Sequence, residues 1–374
     1  MTGKRQTGFL FIADISGYTE LLTQVELEHA LDIVKHLLDT LVKNVLPPLI
    51  LAKLEGDALF FYAPQGSFLL GQTCLEAIER FYNAFLISRE SLSGRMKTCG
   101  CKGCRLTPSL DLKFVAHHGT FLIQSMKQGE ELSGPDVILV HRLLKNSVTE
   151  STGLKAYAFL TEACFAAIPF GDLPTTMRRH SERYEHLGEV RGSVHDVSNA
   201  WERQRDRHRM TVDEKDSWFH VDAEYPVPQS VLWECLVEPG HLAHYCEMEK
   251  VTLQGLKDHR VAPGTSCSCI KGGKEILQTF VDWNPFDYFT VETATEIGLA
   301  RTTVSLTPSG QGTRARWLVS RPERSVGFGA MLLRLFGPLM RLAVKAEIKR
   351  ESARLRQLIN EEINAGKVLQ SATT

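Results

Sequence analysis

GFLFIADISGYT, residues 8–19, holds an apolar run from Phe9 to Ile12 that is too short for a helix, stops at Asp14 and turns through Ser16 and Gly17. It reads as a buried strand ending in a carboxylate and a tight turn. LAKLEGDALFFY, residues 51–62, has the same character from the other direction. A run ending at Glu55 meets Gly56-Asp57, and residues 58–62 are again apolar and aromatic, so the segment predicts a hairpin. Two aspartates at the ends of neighbouring buried strands, each beside a glycine, suit a Mg-triphosphate site. Hard cations take carboxylate oxygens, and glycine lets backbone N–H groups approach phosphate.

The rest of the chain bounds this reading. At 374 residues two domains are expected rather than one. Forty-three Lys and Arg against 44 Asp and Glu give a net charge of −1, so no global field recommends nucleic acid or a membrane as partner. The first residues lack a secretory pattern, and the best apolar run, residues 326–344, is interrupted by Arg334 and Arg341, so no transmembrane segment is expected. The expectation is a cytoplasmic protein whose nine cysteines are reduced.

In chain order, residues 20–45 carry apolar residues at helical spacing and predict one long amphipathic helix ending at Pro47-Pro48. Residues 66–92 predict a second, and 110–123 alternate as a strand. Residues 131–146, ELSGPDVILVHRLLKN, predict a core-packed helix from the Gly-Pro pair onward.

The pattern FIADISGYT followed by KLEGDA resembles the class III nucleotidyl cyclase homology domain, in the wording of a divergent bacterial branch, over roughly residues 7–198. That resemblance implies an α+β fold whose N-terminal part is a ferredoxin-like α/β sandwich. It implies that Asp14 and Asp57 hold two Mg2+ or Mn2+ ions, which in two-metal sites sit ~3.5–4 Å apart. Ile15, Ser16, Gly17, Tyr18 and Thr19 would offer backbone N–H groups to phosphates. Lys53 falls at one purine-reading position and Glu131 at the other, a donor and acceptor pair that favours ATP. Arg142 falls at the arginine that stabilises charge on the transferring phosphate, and Arg191, before Gly192, at a triphosphate contact in the closing hairpin. Ile138 stands where the family has the asparagine that orients the ribose. An isoleucine cannot make that hydrogen bond, so one piece of transition-state positioning is missing; Asn146, one turn beyond Arg142, is the nearest replacement. Such sites form between two homology domains, so turnover in a chain with one of them requires a homodimer.

Cys99, Cys101 and Cys104 place three thiols on a loop with two glycines. A tetrahedral zinc site needs a fourth ligand, and zinc or another soft metal, a redox role and unligated thiols all stay open. Residues 199–216 are charged and read as a linker between domains spanning 1–198 and 217–374. Beyond it, five strands within residues 265–320 precede a long helix, about 328–362, with Leu332, Leu335, Leu339, Leu342, Ile348, Leu355 and Ile359 expected to face inward. This order, with PVPQSVLWECL near its start, resembles the START-like helix-grip fold (SRPBCC, the superfamily of polyketide cyclases and lipid carriers), an antiparallel sheet wrapped around a long helix with room for an apolar ligand. Cys267 and Cys269 share one face of a strand and read as small core residues.

Three functions follow. The first is an ATP-binding cyclase-like regulator with weak or no turnover, coupled to a hydrophobic-ligand domain. The second is an active homodimeric adenylate cyclase, a phosphorus-oxygen lyase making 3′,5′-cyclic AMP. The third is a lipid or polyketide binding protein whose first domain is scaffold.

Overall fold

The computed structural model describes residues 3–25, 27–95, 105–126, 129–205, 209–295, 297–310, 312–323 and 327–368. The chain divides into two compact units, residues 1–206 and 207–374. Cys99, Cys101 and Cys104 lie outside the described residues.

The first unit is built on β1 (Lys4–Ser16), β2 (Ile50–Glu55), β3 (Ala58–Pro64), β4 (Asp111–Met126), β5 (Gly129–Ser133), β6 (Tyr157–Thr161), β7 (Arg178–Tyr184) and β8 (Gly188–Asp196). They form one sheet in the order β2-β3-β1-β4-β6-β8-β7, with β5 paired to β4. The first four strands, with helices between β1 and β2 and between β3 and β4, have the ferredoxin-like order 2-3-1-4 and antiparallel neighbours throughout. Side chains alternate along β1. Leu10 and Ile12 join Phe60, Val115 and Phe159 on one face, under Val137 and Val140 of the helix Pro135–Arg142 and Leu143, which caps it. Phe9 and Phe11 point the other way, where Phe11 stacks on Phe61 at 5.2 Å and Phe61 on Phe81 at 4.9 Å. That face is covered by the helices Leu27–Lys43 and Gly71–Arg95.

The single helix expected over residues 20–45 is two, Tyr18–Gln24 and Leu27–Lys43. Val25, a β-branched residue in extended backbone, ends the first. Glu131 precedes the helix it was read with and lies on β5, opposite Gln124. The helix Ser198–Arg205 follows β8, and Arg203 joins His195 on Glu79, at 2.8 and 2.9 Å.

The second unit is a seven-stranded antiparallel sheet, β9 (Ser217–Tyr225), β10 (Lys250–Gln254), β11 (Ser266–Lys271), β12 (Lys274–Asn284), β13 (Tyr288–Thr295), β14 (Gly298–Ser309) and β15 (Gly312–Ser320), in the order 10-11-12-13-14-15-9. Trp233, on the helix Gln229–Val237, meets Trp283 and Phe289 edge-on at 4.7 and 5.5 Å. The helix Gly327–Asn364 closes the unit. Leu355 and Ile359 are fully buried, each contributing about 1.5–3 kcal/mol. Leu335, Leu339 and Leu342 do not face inward as expected: they are 64%, 65% and 65% exposed. The reason is angular position: at about 100° per residue these three leucines fall on the side of the helix roughly opposite Leu355 and Ile359, the side the sheet does not cover.

Candidate functional site

β1 delivers Asp14 to the edge of the core, on the face of Leu10 and Ile12, and pairs it with Ala58 on β3 and Lys113 on β4. Glu55 also pairs with Ala58, so Gly56 and Asp57 are the whole hairpin loop. Gly56 takes φ +66°, a conformation that favours glycine at the first loop position of a tight hairpin. The Ile15 N–H donates to the Asp57 carbonyl at 3.2 Å and ties the loop to the end of β1. Gly17 begins the helix Tyr18–Gln24, and Ser16, Tyr18 and Thr19 surround that turn; Ile15 is buried.

The two carboxylates are not equivalent. Asp14 forms an ion pair with Lys113 at 3.1 Å, and the Lys113 ammonium also donates to the Leu144 carbonyl at 3.4 Å. Among the described residues Asp57 makes no ion pair of that kind, and the Lys113 charge is the weakest of the influences on it. Desolvation, and then the charge of Asp14, push its carboxyl up from 3.8 to about 6. A carboxylate destabilised by burial and by a neighbouring carboxylate's charge is a donor that a hard divalent cation relieves. Asp14 and Asp57 are therefore the residues that fit Mg2+ or Mn2+. No cluster of three or more His, Cys, Asp or Glu side chains suited to a metal occurs among the described residues.

Lys53 lies opposite Phe60 after an irregularity in the β2–β3 ladder, exposed and 3.5 Å from Glu55. Directly paired residues share a face. Lys53 thus shares the face of Asp14, Glu55 and the helix Pro135–Arg142. Glu55 meets His141 of that helix at 3.0 Å, and His141 packs edge-on against Phe60. The start of the helix is pinned by Asp136. Its carboxylate accepts the Thr120 N–H at 2.7 Å and meets buried His117 at 3.2 Å. Burial holds the His117 pKa below its ordinary value, and Thr161 meets its other nitrogen at 2.8 Å. A side chain at Gly119 would lie 2.4 Å from the Asp136 carboxylate, so glycine permits this docking.

The pinned helix presents Ile138, 56% exposed, and Arg142, exposed one turn on, along one face. Asn146 does not replace the absent asparagine. Its carbonyl oxygen accepts from Tyr157 at 2.7 Å and from the Val148 N–H at 3.1 Å, and its amide donates to the Leu143 carbonyl at 2.7 Å. Glu131 is exposed on β5, where alternation turns it away from core Leu132. Arg191 is exposed on β8 and paired with Glu189 at 2.7 Å. The first unit therefore brings together Asp14, Asp57 and residues 15–19, with Lys53 on the same face; Glu131, Arg142 and Arg191 are directed to solvent.

Sequence reasoning missed Lys113. Its signal was a lysine inside the apolar strand LDLKFVA, but the identity of its partner depends on strand register.

The second unit contains a cavity of about 370 Å³ between the sheet and the helix Gly327–Asn364, with Trp218, Phe280, Phe289, Val304 and Leu355 in its wall. Two acids line it that the sequence reading did not single out, Glu347 and Glu351. Glu351 falls on the helix stripe of Val344, Ile348 and Leu355, and desolvation and then Glu347 raise its carboxyl to about 7. Cys267 and Cys269 are buried with sulfurs 3.5 Å apart.

Among known proteins, residues 34–152 match a family model described as a protein of unknown function (DUF2652). The uncharacterized protein Rv2561/Rv2562 of Mycobacterium tuberculosis is 42% identical over 112 residues, 30% of this chain. The chain spans 50% of the length of that curated relative. Among solved structures, the adenylyl cyclase CyaB from P. aeruginosa is 16% identical with a TM-score of 0.38, over 52% of this chain and 97% of that one. A bacterial light-regulated adenylyl cyclase is 10% identical with a TM-score of 0.38, over 55% and 57%. Protein MLL2253 from Mesorhizobium loti is 17% identical with a TM-score of 0.30, over 38% and 96%. Residues 219–360 match the family model for polyketide cyclase / dehydrase and lipid transport. The antiparallel sheet, the long closing helix and this match agree, and residues 219–360 form a START-like domain.

Proposed function

We propose that the first unit binds ATP with Mg2+ or Mn2+ at Asp14 and Asp57, turns it over weakly or not at all, and works with a START-like domain that holds an apolar small molecule. The observation that carries the nucleotide reading is the unequal aspartate pair: one carboxylate neutralised by Lys113, the other held at about 6 beside it. Residues 15–19 supply the neighbouring turn for phosphate, and Lys53 shares the face. When bound, a divalent ion there neutralises triphosphate charge; the chain's own part is to hold the two carboxylates in place and keep the turn rigid through the Ile15–Asp57 hydrogen bond.

Turnover is the second reading, favoured by one feature. Ile138 and Arg142 stand exposed on one helix face, open to the phosphates of a nucleotide held by a second copy. Arg142 has the charge for that role. Ile138 has no polar atom for the ribose, and Asn146 is occupied by its own turn, so positioning is incomplete and weak turnover is the better reading.

The test is to incubate the full chain with ATP and Mg2+ or Mn2+, quantify cyclic AMP, and measure ATP binding for wild type and Asp57→Asn. Metal-dependent binding that is lost in Asp57→Asn, with little product, supports the reading. Abundant cyclic AMP moves the conclusion to an active homodimeric cyclase. Neither binding nor product would leave the first unit as scaffold for a lipid or polyketide binding domain.

A further inference from the structure

The N-terminal half of the helix Gly327–Asn364 turns an apolar face to solvent. At about 100° per residue, Met331, Leu335, Leu339 and Leu342 fall within an arc of roughly 80°. All four are exposed, the three leucines by almost two thirds, and Phe336 is exposed beside them. Isolated exposed leucines are ordinary, but a contiguous row on one helix marks a surface that meets something apolar. The opposite side of the same turns carries Met340, Val344 and Ile348 into the cavity wall. Trp218, also in that wall, lies beside Gly337.

Charge indicates what covers the row. Residues 327–346 contain Arg334, Arg341 and Lys345 and no acidic residue; the first acid is Glu347. The three cations fall along one edge of the apolar arc. Laid together antiparallel, two copies of this face put those like charges along one shared edge, which opposes self-association in that arrangement. An anionic lipid surface accepts both components, leucines into the acyl boundary and cations among the head groups. No helix among the described residues is long and apolar enough to cross a membrane, so the helix would lie in the interface rather than span it.

We propose that this face docks the START-like domain on anionic membrane, setting the helix that walls the cavity against the lipid. An apolar ligand then passes between bilayer and cavity past Met340 and Val344 without crossing water.

The experiment uses the full chain and flotation with phosphatidylcholine vesicles, with and without roughly one third phosphatidylglycerol. Wild type is expected to float with the anionic vesicles and not the neutral ones, and to be released as salt is raised. Leu335→Glu with Leu339→Glu should weaken vesicle binding by about tenfold or more while the circular dichroism of the domain is unchanged. If that variant fails to fold, Arg334→Glu with Arg341→Glu, at two exposed positions, tests the same face and should also lose binding. Binding that is equal in wild type and folded variants, or no binding to anionic vesicles, overturns the proposal. So does a concentration-dependent dimer abolished by the leucine variant in a protein that ignores lipid, because the face would then belong to a second copy.

Discussion

Asp57→Asn should stabilise the metal-free protein while abolishing metal-dependent ATP binding, and the gain should depend on pH. The Asp57 carboxyl titrates near 6 in the folded chain, against 3.8 for an ordinary aspartate, because burial and Asp14 both oppose its charge. Between those values the folded state holds more protons than the unfolded one. Stability therefore falls as pH rises from 3.8 through 6, and the penalty is complete above 6. A rise of slightly over two units corresponds to about 3 kcal/mol at face value, and solvent screening of this half-buried group reduces it to about 1–2 kcal/mol. Asparagine keeps the shape without the charge. Relative to wild type, Asp57→Asn should gain about 1–2 kcal/mol at pH 7.5 and almost nothing below pH 4. Hydrogen exchange in urea, followed on peptides from β1 and β3, reads the first unit separately, since its slowest amides exchange through global unfolding. A variant that is less stable than wild type at pH 7.5, or whose difference is the same at both pH values, would refute the assignment of Asp57 as the strained member of the pair.

Lys113→Met removes the cation that neutralises Asp14. The metal-free protein should lose about 1–3 kcal/mol, while Mn2+ affinity by calorimetry should rise by about tenfold or more, because the ion no longer competes with an internal ammonium; a fall in affinity would show that Lys113 helps the ion instead. Glu351→Gln addresses the cavity. The Glu351 carboxyl is raised from 4.5 to about 7, so stability falls with pH through that window and glutamine should recover up to about 3 kcal/mol at pH 7.5, with no gain below pH 4.5. Trp218, Trp233, Trp283 and Trp317 report this unit by fluorescence. An unchanged pH profile would place that carboxyl in water.

Much of this protein was legible without coordinates because the signals were local. The runs around Phe9–Ile12 and residues 58–62 are too short and apolar for anything but buried strands, and Gly56-Asp57 can only turn. The hairpin followed from such punctuation, the ferredoxin-like and START-like folds from the resemblances the element order carries, and the family match at residues 219–360 agrees with the latter. What tertiary structure decided was pairing and coverage. Lys113 meets Asp14 through the antiparallel register of β4 against β1, which no spacing encodes. The polar capacity of Asn146 is consumed by Tyr157 and by its own turn, a fact of packing. Apolar residues at helical spacing mark two faces of the helix Gly327–Asn364, Leu355 and Ile359 on one and Leu335, Leu339 and Leu342 on the other. Periodicity defines the faces of a helix but not which of them the sheet covers. Here the sheet takes the side of Leu355, and the other side becomes an exposed apolar surface at residue 339.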